Sequence, residues 1–267
     1  MMQLTSPFGA VFDLTEIDRH RWRARVDDTW RGWTGPHGGV IAGLAVAAAE
    51  SAVGDEVAVR ALDLRFLGRP RDGELTLRAE RHPVGRTTHV VDIAVLQDED
   101  TVAAASVTLG RTRAGTIDDR FDRTAPQVPA PDACALFRLP TDIVPAAAHF
   151  EIRPAAGPLP LTGSDETCMT VWTALIPELP LDAPSLAVLA DALPPAIFPA
   201  LTAPVAVPTV TMSLHVHTDD FDPLARRALV RAANVSTGGG WSVDDIDIWD
   251  ERGRLLATAR QSRRVLG

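Results

Sequence analysis

The sequence predicts an α+β fold in which a central apolar helix is wrapped by a curved antiparallel sheet, and it predicts that arrangement twice. Three observations carry this. Gly38 to Ala49 is an apolar run opened by two glycines, uncharged until Glu50 and ended before Gly54. It is too long for an ordinary strand and too short to span a bilayer, so it reads as a buried core helix. Strand-like segments separated by turn residues follow it from Val57 to Arg113. The order strand, strand, helix, four strands then recurs in the second half. A repeat this large is a duplicated domain rather than a solenoid, whose units run to roughly 20–50 residues.

Taken in order, Phe8 to Leu14 and Arg21 to Val26 read as short strands. In the second, Trp22, Ala24 and Val26 alternate with arginines, the period-two pattern of a half-buried strand. Trp30 to His37, rich in glycine and tryptophan, is a turn-rich entry to the helix. Four strands follow, Val57–Leu67, Gly73–His82, Thr87–Leu96 and Thr101–Arg111, separated by Gly68-Arg69-Pro70, Val84-Gly85-Arg86 and Asp98-Glu99-Asp100. From Gly115 to Pro160 prolines punctuate an irregular connector. Phe150–Arg153 and Thr167–Leu175 restart the strand pattern. Asp182-Ala183-Pro184-Ser185 has a capping acid and an early proline, a helix start leading into the apolar stretch Leu186–Leu193. Thr209–His217, Arg226–Ser236, Ser242–Trp249 and Arg254–Val265 complete the second set. The expected division is residues 1–115 and 147–267 as the two repeats, joined by a proline-rich linker at 116–146. Because an open antiparallel edge is a liability, the two sheets are expected to run into one another.

Composition narrows the function. The 267 residues are 46% hydrophobic, enough for a packed core, and the net charge is −9 with arginine supplying every basic side chain. That balance argues against a general nucleic-acid binder, while leaving room for local arginines to meet an anionic ligand. Cys134 and Cys168 have no metal or redox spacing. The stretch from Met1 to Asp13 lacks the apolar core of a signal peptide. A cytoplasmic protein with no cofactor, no membrane association and no nucleic-acid partner is the expectation.

Several stretches, in this order, carry a family resemblance. His37-Gly38-Gly39-Val40-Ile41-Ala42-Gly43 looks like a paired-glycine helix entry, and Leu64 to Pro70 like the end of a first long strand. Val84-Gly85-Arg86-Thr87 with Gln97 resembles a glycine–arginine–serine…glutamine hairpin. Ala125 to Asp132 resembles an inter-domain linker. Together they resemble the bacterial acyl-CoA thioesterase II family along nearly the whole chain. The resemblance implies a double hotdog, acyl-CoA as substrate and a homodimer of double hotdogs. It also implies a hydrolytic water held by an aspartate, a threonine and a glutamine. By motif position these fall on Asp191, Thr209 and Gln261, with His37, Gly38, Gly39 and Arg86 as substrate-binding positions. His37 departs from the family, whose close members carry an apolar aromatic there. Thr211-Met212 stands where the family has an aspartate–histidine pair.

The residues also speak for themselves. Asp191 interrupts an otherwise apolar helix, where a carboxylate is costly to bury unless it is paired. It reads either as the cap of a second helical segment near Pro194 or as a base that orients water. Gln261 shares a strand face with Leu255, Ala257 and Ala259 and so points inward. Thr209 alternates with Thr211, Ser213 and His215, away from the apolar face of Val210, Met212 and Leu214. It reaches the core only if a bulge intervenes, and Thr211 is the rival. When the halves are overlaid, Thr209 falls near Val59, Gln261 near Thr108, and the first helix has no acid. The fold repeats but the polar triplet does not, which favours one composite site on second-half side chains.

His215 and His217 near Asp219 and Asp220 lack a third metal ligand, so no metal is expected. No serine-nucleophile elbow or phosphate-loop pattern is present. The CoA phosphates would need arginines, for which Arg65, Arg86, Arg260, Arg263 and Arg264 are candidates. A non-hydrolytic acyl-CoA binder and an enoyl-CoA hydratase stand as the alternatives to hydrolysis. The latter would want an acid beside His37.

Overall fold

The computed structural model describes residues 6–33, 35–54, 56–112 and 123–266. The expected linker start near Gly115, the N-terminal residues 1–5 and Thr34 of the helix entry fall outside the described residues. The first segment is a correction. Phe8 to Leu14 is not a strand; Pro7–Val11 forms a short helix, α1, whose first turn is capped by the Ser6 side chain accepting from Gly9 N. Pro7 at the first helical position suits a helix start, and Phe8 and Phe12 fall one turn apart, both buried.

Beyond α1 the described residues form β1 (Thr15–Asp18), β2 (Arg21–Val26), α2 (Gly38–Val53), β3 (Ala58–Phe66), β4 (Gly73–Val84), β5 (Thr88–Gln97) and β6 (Asp100–Gly110). The second half supplies β7 (Phe150–Ala156), β8 (Cys168–Leu175), α3 (Ala183–Leu189), β9 (Thr209–Val216), β10 (Arg227–Gly238), β11 (Trp241–Trp249) and β12 (Leu255–Arg264). All twelve strands join one antiparallel sheet in the order β1-β2-β4-β5-β6-β3-β9-β12-β11-β10-β8-β7. That order reads the same from either edge once six is added to each strand number of the first half. The halves meet where β3 pairs with β9, Ala61 opposite His215 and Arg65 opposite Thr211. Two inner edges are thereby removed.

The helices lie against this sheet. α2 is buried on every side, from Gly39 through Ala49 without a break. It packs on β3, β4, β5 and β6 and against α3. Its alanines and glycines let backbones approach closely. A Cβ on Gly43 would lie 2.9 Å from Pro184 O and 2.6 Å from the Phe8 ring. α3 is shorter than the expected Leu186–Leu193. Asp182 caps it by accepting from Ser185 N, and it ends at Leu189 with Ala190 as its C-cap. Asp191 therefore lies just beyond the helix, its N–H donating to Val188 O at 3.0 Å, instead of in the helix middle. A second apolar cluster of Cys134, Trp172, Leu229, Trp249 and Leu255 is closed by the connector. There Trp172 Nε1 donates to Pro129 O and Trp249 Nε1 to Arg123 O, each at 2.9 Å.

Candidate active site

The junction of α2 and α3 builds the site. α2 begins without help from its own N-cap, since the His37 side chain makes no capping bond. The acceptor comes from the other half: Gly39 N donates to Asp191 Oδ2 at 2.9 Å. A carboxylate there meets both the unpaired amides and the positive end of the helix dipole. The approach depends on the glycines. A Cβ on Gly39 would sit 2.8 Å from Val188 O and 3.0 Å from Asp191 Cβ. One on Gly38 would meet Asp191 Oδ2 at 3.0 Å. Asp191 thus caps a helix, but α2 in place of a segment at Pro194.

The other carboxylate oxygen meets two donors from β12. Gln261 Nε2 reaches Asp191 Oδ1 at 3.1 Å and Ala190 O at 3.0 Å. Arg263 Nη2 reaches Oδ1 at 3.2 Å. Thr209 donates to Gln261 Oε1 at 2.7 Å and accepts from Arg263 Nη1 at 2.8 Å. Thr209 joins this network through a bulge. Ser262 pairs with Thr211 but Arg263 pairs with Thr209, so Val210 is skipped. Thr209 is turned to the inner face as a result. Arg263 is further held by Asp244, Nε to Oδ2 at 3.0 Å, and Asp244 also accepts from Ala196 N and Asn234 Nδ2.

His37 stands on the opposite side, with Nε2 3.0 Å from Asp191 O and 3.8 Å from Asp191 Oδ2. Because a backbone carbonyl only accepts, Nε2 carries the proton in that bond. Burial pushes the imidazole below its usual range, against the opposing pull of the Asp191 charge. His37 therefore does have an acidic neighbour, supplied by the second half.

These groups form one end of a cavity of about 520 Å³. His37, Gly38, Asp191, Thr209 and Arg263 line it there, while Phe66, Leu139, Ile143, Phe150, Leu193 and Phe198 make apolar walls. Gly38, the first residue of α2, lines the cavity, and an amide at that position has no acceptor within its own helix. Gln261 is fully buried behind the others. Of the expected binding positions, Arg86 is not brought in: it sits in the turn between β4 and β5, outside the cavity lining. Arg65 is exposed, Arg260 pairs with Asp245, and Arg264 stacks on Trp241. Arg69, absent from the candidates, does line the cavity. Arg263, a candidate from sequence for the CoA phosphates alone, and Asp244, not among the candidates, both belong to the site network. Alternation would have found them, since Arg263 continues the inward series after Gln261 and Asp244 shares a face with Ile246 and Ile248.

An apolar cavity that meets a carboxylate, a helix N-terminus and a polar network suits attack on a carbonyl beside an acyl chain. Comparison with known proteins agrees. The family model for the acyl-CoA thioesterase N-terminal domain matches residues 26–110, and that for the acyl-CoA thioesterase C-terminal domain matches residues 122–265. No curated protein is significantly similar in sequence. Among solved structures, a conserved hot dog-fold protein of unknown function from Alicyclobacillus acidocaldarius superposes with a TM-score of 0.88 at 22% identity, covering 99% of each chain. A thioesterase candidate from Novosphingobium aromaticivorans gives 0.82 at 29% identity, over 95% of this chain and 98% of that one. Acyl-CoA thioesterase II TesB2 from Mycobacterium marinum gives 0.75 at 18% identity, over 97% and 98%. With both domain models matched in order along one hotdog-type sheet, the chain belongs to the acyl-CoA thioesterase family and is a thioester hydrolase.

Proposed function

We propose that the protein hydrolyses an acyl-CoA to a free fatty acid and CoA by direct attack of a water held by Asp191 with Thr209 and Gln261. The observation that carries this reading is the position of Asp191, the acceptor carboxylate at the polar end of the apolar cavity, against the first turn of α2. The acyl chain fills the apolar part, with the thioester carbonyl toward Gly38. Asp191 accepts a proton as water adds to the carbonyl carbon. The tetrahedral oxyanion takes a hydrogen bond from Gly38 N–H, favoured by the helix dipole. Collapse breaks the carbon–sulfur bond, and the thiolate of CoA takes the proton back.

The two repeats act as hotdogs over residues 1–115 and 147–267, joined by 116–146, and the molecule works in the cytoplasm as a homodimer of double hotdogs. The approach of His37 to Asp191 also fits a second reading, hydration of an enoyl thioester. One assay separates the two. Wild-type protein mixed with saturated and 2-enoyl acyl-CoAs of graded chain length should release free thiol from both. Loss of enoyl absorbance with no thiol would favour hydration and overturn the hydrolytic reading.

A further inference from the structure

We propose that Arg263, held by Asp244, is a positioning residue that sets the direction of the whole hydrogen-bond network on which Asp191 depends. The proposal rests on the hydrolytic reading above only for its kinetic arm. The Arg263 side chain is 8% exposed and lies between two carboxylates that are 11% and 1% exposed. A guanidinium has donors and no acceptor. When Nη1 donates into Thr209 Oγ1, the threonine hydrogen is left to point elsewhere, and the available acceptor is Gln261 Oε1 at 2.7 Å. That contact fixes the amide so that Nε2, not Oε1, faces Ala190 O and Asp191 Oδ1. The chain of donors therefore runs one way, from Arg263 through Thr209 and Gln261 to Asp191.

Reversing any member would set donor against donor or acceptor against acceptor, which costs about 1–3 kcal/mol per unsatisfied buried group. Arg263 also closes the loop directly by donating Nη2 to the same Asp191 oxygen. The carboxylate is thus held from two sides of one ring. Asp244 fixes the guanidinium plane in turn. It accepts Arg263 Nε, and its own position is set by Ala196 N and by Asn234 Nδ2. Thr209 gives its one hydrogen to Gln261 in this arrangement, so it meets the water through its remaining lone pair, as an acceptor. Its role in the resting site is to pass polarity on, and the water's proton is left to Asp191.

Three variants and two readouts test this. Arg263→Lys retains a cation and donors but cannot span Asp244, Thr209 and Asp191 together. Arg263→Met removes the charge and leaves Asp244 uncompensated. The double variant Arg263→Met/Asp244→Asn removes both charges of that pair, so that Asp244 is not left as an unpaired buried carboxylate, while Asp191 keeps its bonds from Gly39 and Gln261. Thiol release should show kcat lowered roughly 100-fold in Arg263→Met and in the double variant, with KM within about threefold, the scale expected for a displaced catalytic group. Arg263→Lys should recover part of that loss. The second readout needs no activity. The Gln261 side-chain amide protons, observed by NMR, should exchange slowly in the wild type and at least tenfold faster in the folded double variant. A folded double variant with wild-type kcat, or with unchanged Gln261 exchange, overturns the proposal. Wild-type protein that releases no thiol while its Gln261 exchange responds as stated overturns the hydrolytic reading and leaves the positioning role standing.

Discussion

Replacing Gly39 with alanine should destabilise the protein, although alanine is the better helix former. In isolation the change gains about 1 kcal/mol of helix propensity. Here the added Cβ would lie 2.8 Å from Val188 O, 3.0 Å from Asp191 Cβ and 3.0 Å from His37 Cε1. The first of these is backbone at the end of α3, so it cannot swing away as a side-chain tip can. Overpacking of this kind costs about 1–3 kcal/mol. Separating the helices also stretches the bond from Gly39 N to Asp191 Oδ2, now 2.9 Å. A bond to a charged group is worth about 1.5–3 kcal/mol. The net cost is therefore about 1.5–5 kcal/mol. At roughly 2–4 °C per kcal/mol for chains of similar length, the melting temperature should fall by roughly 3–20 °C, measured by calorimetry. Turnover should drop with it, because the cap and the proposed base are the same residue. Gly38→Ala should be milder for stability, since its contacts are the Asp191 carboxylate tip and the Phe66 ring edge. A Gly39→Ala protein as stable as the wild type would refute the account of this junction.

Other consequences can be checked alongside. His37 is held below its ordinary value of 6.5 by burial. Its unfolded form binds the proton first as pH falls, so its contribution to stability is full above about 6.5 and is lost on acidification through the lowered folded value. Melting temperatures measured from pH 8 downward should fall below that point, and His37→Phe should flatten the decline. Thr209→Val leaves Gln261 Oε1 and Arg263 Nη1 without their shared partner and should cost about 1–3 kcal/mol together with most of the turnover. Thr211→Val should stay within about 0.5 kcal/mol of wild type in denaturant melts. Arg69, on the cavity lining and without an ion-pair partner among the described residues, should contribute a salt-sensitive contact to a CoA phosphate. Arg69→Ala is expected to raise KM about two- to fivefold at low ionic strength, and Arg86→Ala, at a distant turn, should leave it unchanged in the same assay.

Much of this was legible because sheets write themselves in period two. Arg21–Val26 announced β2 residue for residue, and β3 to β6 and β9 to β12 differ from their expected bounds by one or two positions. The unbroken apolar run of α2 requires burial on every side, and Gly39 through Ala49 are buried. Asp191 stood out because an acid in an apolar segment demands a partner, and the partner was Gly39, more than a hundred residues away in sequence. Such pairing has no local signature. α1 was misread because its five residues are too few to show a helical period, and its one local signal, Ser6 before Pro7, is weak when read alone. Sequence alone leaves Thr209 and Thr211 as rivals for a physical reason as well. The inward direction of Thr209 depends on a bulge made by two strands together, which alternation along either strand does not contain. Arg263 reads from sequence only as a cation, because its carboxylate partners Asp191 and Asp244 lie on other segments.

The most direct test of the central claim is thiol release by Asp191→Asn against the wild type, at saturating acyl-CoA, with folding of the variant verified by its melting transition. Asparagine keeps one oxygen for Gly39 N or for Gln261 and Arg263 but cannot accept a proton from water. The account predicts a folded variant, lowered in melting temperature, whose kcat is reduced by about 100- to 10,000-fold, the usual contribution of a general base. A folded Asp191→Asn protein with wild-type kcat would contradict it.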